Sequence, residues 1–176
     1  MNLKPGESHK RKATEAEQFA DIIKTLRENY NEEVQEPYMA EIPESFTDPM
    51  QCAMFIEQMN NLLAYANVST LSVNAQIGEI LAKIRDFCKV QEIKFFDLLK
   101  EASFRMKDPG YVYFLIRLYR FKLDYPRIGK VALPFHYFRN NLGIISKALV
   151  AHPEEAAFWK QPSTAPKVLL QKTVYF

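Results

Sequence analysis

Nine Lys or Arg and ten aromatic side chains fall within Phe104–Lys147, against two acids, Asp108 and Asp124. Cations at that density neutralise phosphates and release counterions, which gives sequence-independent affinity for nucleic acid. Aromatic rings among them can stack on unpaired bases, at roughly 1–3 kcal/mol per base. The cations are Arg105, Lys107, Arg117, Arg120, Lys122, Arg127, Lys130, Arg139 and Lys147. Tyr113, Tyr119, Tyr125 and Tyr137 are the stacking candidates, because tyrosine tolerates a half-exposed site. This pattern predicts backbone-directed contact with RNA or DNA.

The remaining charge is distributed in the opposite sense. Residues 1–50 carry six basic and eleven acidic side chains, residues 51–102 five and six, and residues 103–176 twelve and four. Such polarity bears on partners rather than on fold. It also has an architectural explanation. An acidic N-terminal helix packed over a basic C-terminal half would form ion pairs worth about 0–1 kcal/mol each.

Catalytic constellations are absent from the sequence pattern. It contains neither form of glycine-rich phosphate loop and no nucleophile elbow. His9, His136 and His152 lack metal-ligand spacing, and Cys52 and Cys88 have no cysteine neighbour. Cys88 and His136 could be imagined as nucleophile and base, but nothing in the sequence brings them together. Glu32-Glu33 and Glu154-Glu155 are adjacent, and on a helix adjacent side chains diverge by about 100°. The expectation is a non-enzymatic protein with no metal and no cofactor.

The elements that must position these side chains are helical. Ten Pro, five Gly and 48% apolar residues describe a chain with a large core and abrupt stops. Thr14 and Glu17 have capping-box spacing, and Phe19, Ile22, Ile23, Leu26, Tyr30 and Val34 make one stripe, so a first helix is expected over 15–35. A loop is expected over 37–47, with Tyr38, Met39, Ile42 and Phe46 packing inward. Asp48-Pro49 and Asp108-Pro109 each pair a capping acid with a proline suited to the first helical position. The second helix carries Cys52, Phe55, Ile56, Met59, Leu62, Leu63 and Ala66. A third, capped by Ser72, carries Val73, Ile77, Ile80, Leu81, Ile84, Phe87 and Cys88.

After a break near Lys89–Glu92, a fourth helix carries Phe95, Phe96, Leu98, Leu99 and Ala102. The third and fourth could form a helix-turn-helix, although the turn lacks Gly and the fourth helix has a balanced polar face. The fifth is apolar on nearly every side, with Arg117, Arg120 and Asp124 on one face. Residues 126–133 read as extended. A sixth helix opens at Pro134 and a seventh at Pro153, where Phe158 and Trp159 could seal the core.

The fold class is therefore an all-α bundle of about six to seven helices over 13–160. A disordered basic tail precedes it over 1–12, with His9-Lys10-Arg11-Lys12, and an extended C-terminal tail follows over 161–176. Two cysteines on apolar stripes suit a reducing intracellular compartment, cytoplasm or nucleus. No apolar run is long enough for a membrane span, so no membrane partner is expected. The expected function is a nucleic-acid-binding accessory subunit of a nucleoprotein assembly. The alternative is a protein–protein adaptor or self-associating scaffold, acting through the acidic first helix or the apolar C-terminus.

Overall fold

The computed structural model describes residues 12–34, 36–38, 42–64, 71–106, 108–162 and 167–169. In chain order these form α1 (Glu15–Glu28), β1 (Glu36–Tyr38), α2 (Pro49–Ala64), α3 (Leu71–Val90) and α4 (Phe95–Glu101). They continue with α5 (Pro109–Asp124), α6 (Phe135–Ala151), α7 (Pro153–Lys160) and β2 (Lys167–Leu169). The architecture is an all-α bundle, and its two strands are three residues long and pair in parallel, Glu36 opposite Lys167 and Tyr38 opposite Leu169. Most of the basic tail, residues 1–11, lies outside the described residues, as do 170–176.

The pair α3–α5 is the spine. Gly78 of α3 lies against the Leu115 backbone of α5, and a Cβ there would overlap the Leu115 carbonyl oxygen. Without that side chain the two helices approach closely. They run through both apolar cores. The first core joins α2, α3, α4 and the N-terminal half of α5, around Ile56, Met59, Ile80, Ile84, Val112 and Leu115. The second joins α1, α6 and α7 to the other half of α5, around Leu26, Leu118, Phe138, Leu142, Ile145 and Trp159. Phe114 and Phe135 pack against both. Each fully buried Leu, Ile or Phe contributes about 1.5–3 kcal/mol.

The helix starts follow the sequence. Thr14 Oγ1 accepts from Glu17 N at 3.1 Å, Asp48 Oδ1 from Gln51 N at 2.8 Å and Asp108 Oδ1 from Gly110 N at 3.0 Å. Two helix stops are made without glycine. Glu92 (φ 56°) and Ser103 (φ 59°) adopt the left-handed conformation. There Ile93 N donates to Cys88 O at 2.8 Å and Phe104 N to Leu99 O at 2.9 Å, closing α3 and α4 with the six-to-one bond of a Schellman motif.

Four expectations are corrected. The first helix ends at Glu28 rather than near 35, because Tyr30 leaves it to form an antiparallel bridge with Val131. Asn31 N also donates to Lys130 O, and Ala132 N to Asn29 O. Pro37 and Tyr38, expected at the start of a loop over 37–47, belong instead to the strand β1. Residues 126–130 are a 3-10 turn rather than extended chain. Ser72 lies inside α3, and its hydroxyl donates to Glu36 Oε1 at 3.0 Å rather than capping the helix.

Candidate nucleic-acid interface

The basic residues of the C-terminal half divide into two groups. In the first, the charge is engaged inside the fold. Lys130 is fully buried, 3.7 Å from Glu36 Oε2, and also donates to the Val34 carbonyl. Lys122 Nζ lies 3.1 Å from Glu36 Oε1. Burial alone would raise the Glu36 carboxyl pKa, but Lys122, Ser72 and Lys130 together outweigh it and hold the group below its ordinary value. A Cβ on Gly129 would overlap the Glu36 carboxylate, so the turn passes close to this cluster.

Arg127 is half-buried, with its guanidinium 4.4 Å from the Phe158 ring centroid and Nη1 donating to Phe158 O at 3.3 Å. Lys122, Arg127 and Lys130 are thus architectural in this structure and withdraw from the predicted contact set. The acid that meets the two lysines is Glu36, beyond α1. Among the described residues, the cross-fold ion pair made by α1 itself runs the other way, Arg27 to Glu155 at 2.9 Å.

In the second group the side chains are exposed. Arg105, Arg117, Arg120, Arg139 and Lys147 enter no ion pair among the described residues. Arg117 and Arg120 follow Tyr113 on the outer face of α5, which helical geometry extends over about 10 Å. Tyr113 is 48% exposed. Its ring meets Phe96 of α4 at 5.6 Å, edge to face, and Arg85 of α3 lies 6.0 Å from its centroid. Beside this line, Arg139 of α6 lies 4.6 Å over the Tyr111 ring, which abuts Phe114 and Phe135. Lys147 is two turns further along the exposed face of α6.

The remaining predicted positions are placed as follows. Tyr119 is half-buried, and burial raises its pKa, with Glu79, Lys83, Arg120 and Asp86 as charged neighbours. That flank is therefore of mixed sign. Tyr125 packs on Phe121 at 5.0 Å, and Tyr137 meets Phe138 edge to face at 5.7 Å. Both serve the second core. Lys107 lies outside the described residues.

Sequence reasoning missed Phe96, Lys100 and Tyr111 as neighbours of the exposed cations. At the N-terminal end of α5 a groove of about 790 Å³ is lined by residues that include Phe96, Asp97, Lys100, Arg105 and Met106. Asn60 of α2 fixes its loop, donating to Ser103 O at 3.0 Å and accepting from Arg105 N at 2.8 Å. The sequence signal was the periodic polar face of α4. Its approach to Arg105 depends on the left-handed Ser103.

The remaining chemistry is sparse. Cys52 and Cys88 are buried free thiols, and His136 is exposed. Burial, with a smaller contribution from Cys88, pushes the Cys52 thiol up to about 11. Among the described residues no group of three or more His, Cys, Asp or Glu could hold a metal ion, and no helix is long and apolar enough to cross a membrane. No protein-family model matches the sequence, and neither curated proteins nor solved structures yield a match.

Proposed function

We propose that the protein is a non-catalytic nucleic-acid-binding subunit whose contact surface is the outer face of α5 with the adjoining edge of α6. The observation that supports this reading is the line of exposed cations and half-exposed aromatics from Arg105 through Tyr113, Arg117 and Arg120, flanked by Arg139 on Tyr111. Exposed guanidiniums with no carboxylate partner among the described residues suit phosphate contacts, and the rings beside them suit stacking. A fluorescence-polarisation titration against 12-nucleotide DNA and RNA at low salt tests it. Binding should weaken steeply with salt, and Arg117→Glu with Arg120→Glu should weaken it at least about tenfold with unchanged circular dichroism. Absence of binding at low salt overturns the reading.

A second reading, a protein adaptor, is favoured by α2. That helix carries one charged residue, Glu57, and exposes Met50 (76%) and Met54 (55%) one turn apart. Methionines so displayed suit an adaptable protein contact. Sedimentation or pull-down with and without Met50→Asp and Met54→Asp distinguishes this reading. A monomer with no partner in either form counts against it.

A further inference from the structure

We propose that the groove at the N-terminal end of α5 receives one unpaired nucleotide of a single strand, so that the protein selects single-stranded over duplex nucleic acid. This rests on the nucleic-acid reading above and names the form of ligand for the same surface. The groove opens at the head of the cation line. Phe96 is both part of its wall and the ring that meets Tyr113 at 5.6 Å, so the groove and the α5 face are continuous.

Its volume of about 790 Å³ lies within the range of small-ligand sites. Its walls combine the apolar surfaces of Phe96, Leu99, Met106 and Pro109 with two cations, Lys100 and Arg105. Both cations are exposed and outside the ion pairs of the described residues. A flat apolar base suits the wall, and its phosphate suits the cations. Asp97, on the α4 side, repels phosphate and accepts a hydrogen bond from a base N–H, which orients the nucleotide.

The loop is set in advance. Asn60 holds both sides of Arg105's peptide environment, and the Schellman closure of α4 fixes Ser103. A duplex keeps its bases stacked and paired and cannot deliver one to such a groove without unstacking. The α5 cations, in contrast, see only backbone and accept either form. Backbone affinity and strand selectivity therefore reside in different residues.

The test uses the full chain and four 12-mers: single-stranded DNA, single-stranded RNA of the same sequence, the DNA duplex, and the DNA strand with consecutive abasic sites. The single strands should bind about tenfold more tightly than duplex or abasic strand, the effect of losing a base contact. Phe96→Ala and, separately, Asp97→Ala, which removes the acceptor for the base N–H, should remove most of that preference, whereas Arg105→Glu should weaken all four oligomers alike. Asp97 is exposed, so its variant keeps the test valid if Phe96→Ala unfolds. The DNA and RNA arms distinguish the sugar. Equal affinity for all four oligomers, or a preference unaltered in both Phe96→Ala and Asp97→Ala, overturns the groove while leaving the α5 surface standing. No binding of any oligomer overturns both.

Discussion

Lys130 Nζ lies 3.7 Å from the carboxylate of Glu36, with the lysine fully buried and the glutamate 2% exposed. Lys122 and Ser72 complete the cluster, which ties β1 to α5, α3 and the turn that follows α5. Two cations share one acid, so removing the acid leaves charge unpaired in the interior. Glu36→Gln should destabilise the protein by about 3 kcal/mol, as expected when one partner of a buried pair is lost. Urea unfolding at pH 7 measures it.

The same cluster sets an acid sensitivity. Because the Glu36 pKa is held below its ordinary value in the fold, its stabilising contribution is fully present above the unfolded carboxylate pKa of about 4.3. It is lost as pH falls through the lower, folded value. The stability difference between wild type and Glu36→Gln should therefore narrow below about pH 4. A constant difference from pH 7 to pH 3 would contradict this account of the cluster.

Gly78 provides a second test of the architecture. Its Cβ would overlap the Leu115 carbonyl oxygen, which belongs to the α5 backbone rather than to a movable side-chain end. Gly78→Ala should destabilise by about 1–3 kcal/mol, against the usual gain of Ala over Gly in a helix. Thermal unfolding followed by circular dichroism reads the sign directly.

The helices were legible because their starts rest on local chemistry: Thr14, Asp48 and Asp108 cap where their spacing indicates. The stops were less so. Tyr30 and Val34 continue the apolar stripe of α1, yet the chain turns away because Tyr30 pairs with Val131, a hundred residues distant. The candidate site was legible as a set of types and not as a surface. Lys130 and Arg117 are both cations in a basic stretch, and what separates them is Glu36, far away in sequence. Phe96 and Arg105 join through the backbone at Ser103, where the residue type gives no sign of a left-handed turn.

Glu92 occupies a left-handed position at the end of α3 and is exposed, so its side chain supplies no core packing to offset the strain. A non-glycine residue in that conformation costs roughly 1–2 kcal/mol, and glycine gives part of this back through the entropy of the unfolded chain. Glu92→Gly should raise stability by about 0.5–1 kcal/mol. A urea midpoint shifted upward with an unchanged slope is the expected readout, and a downward shift contradicts the strain argument.

The buried thiols predict chemical inertness. With the Cys52 pKa pushed up to about 11 by burial and Cys88 raised for the same reason, little thiolate exists near neutral pH. A disulfide reagent such as DTNB should leave both unmodified in the native protein at pH 8 and titrate two thiols in denaturant. Rapid native modification would show that one of these side chains is accessible.

The division of the basic residues gives the sharpest comparison, because Arg120 and Arg127 carry the same charge at nearby sequence positions. Arg127 packs over Phe158 and bonds its carbonyl, so Arg127→Met should cost about 1 kcal/mol of stability. Arg120 is exposed and has no ion pair among the described residues, so Arg120→Met should alter stability by less than about 0.5 kcal/mol. Binding should invert that order. Loss of one phosphate contact reduces the magnitude of the salt slope for a single strand by about 0.7, and this is expected for Arg120→Met alone. Net charge falls equally in the two variants, so a general electrostatic effect would change both slopes alike. Different slopes would locate the contact on the outer face of α5, and equal slopes would remove Arg120 from the proposed interface.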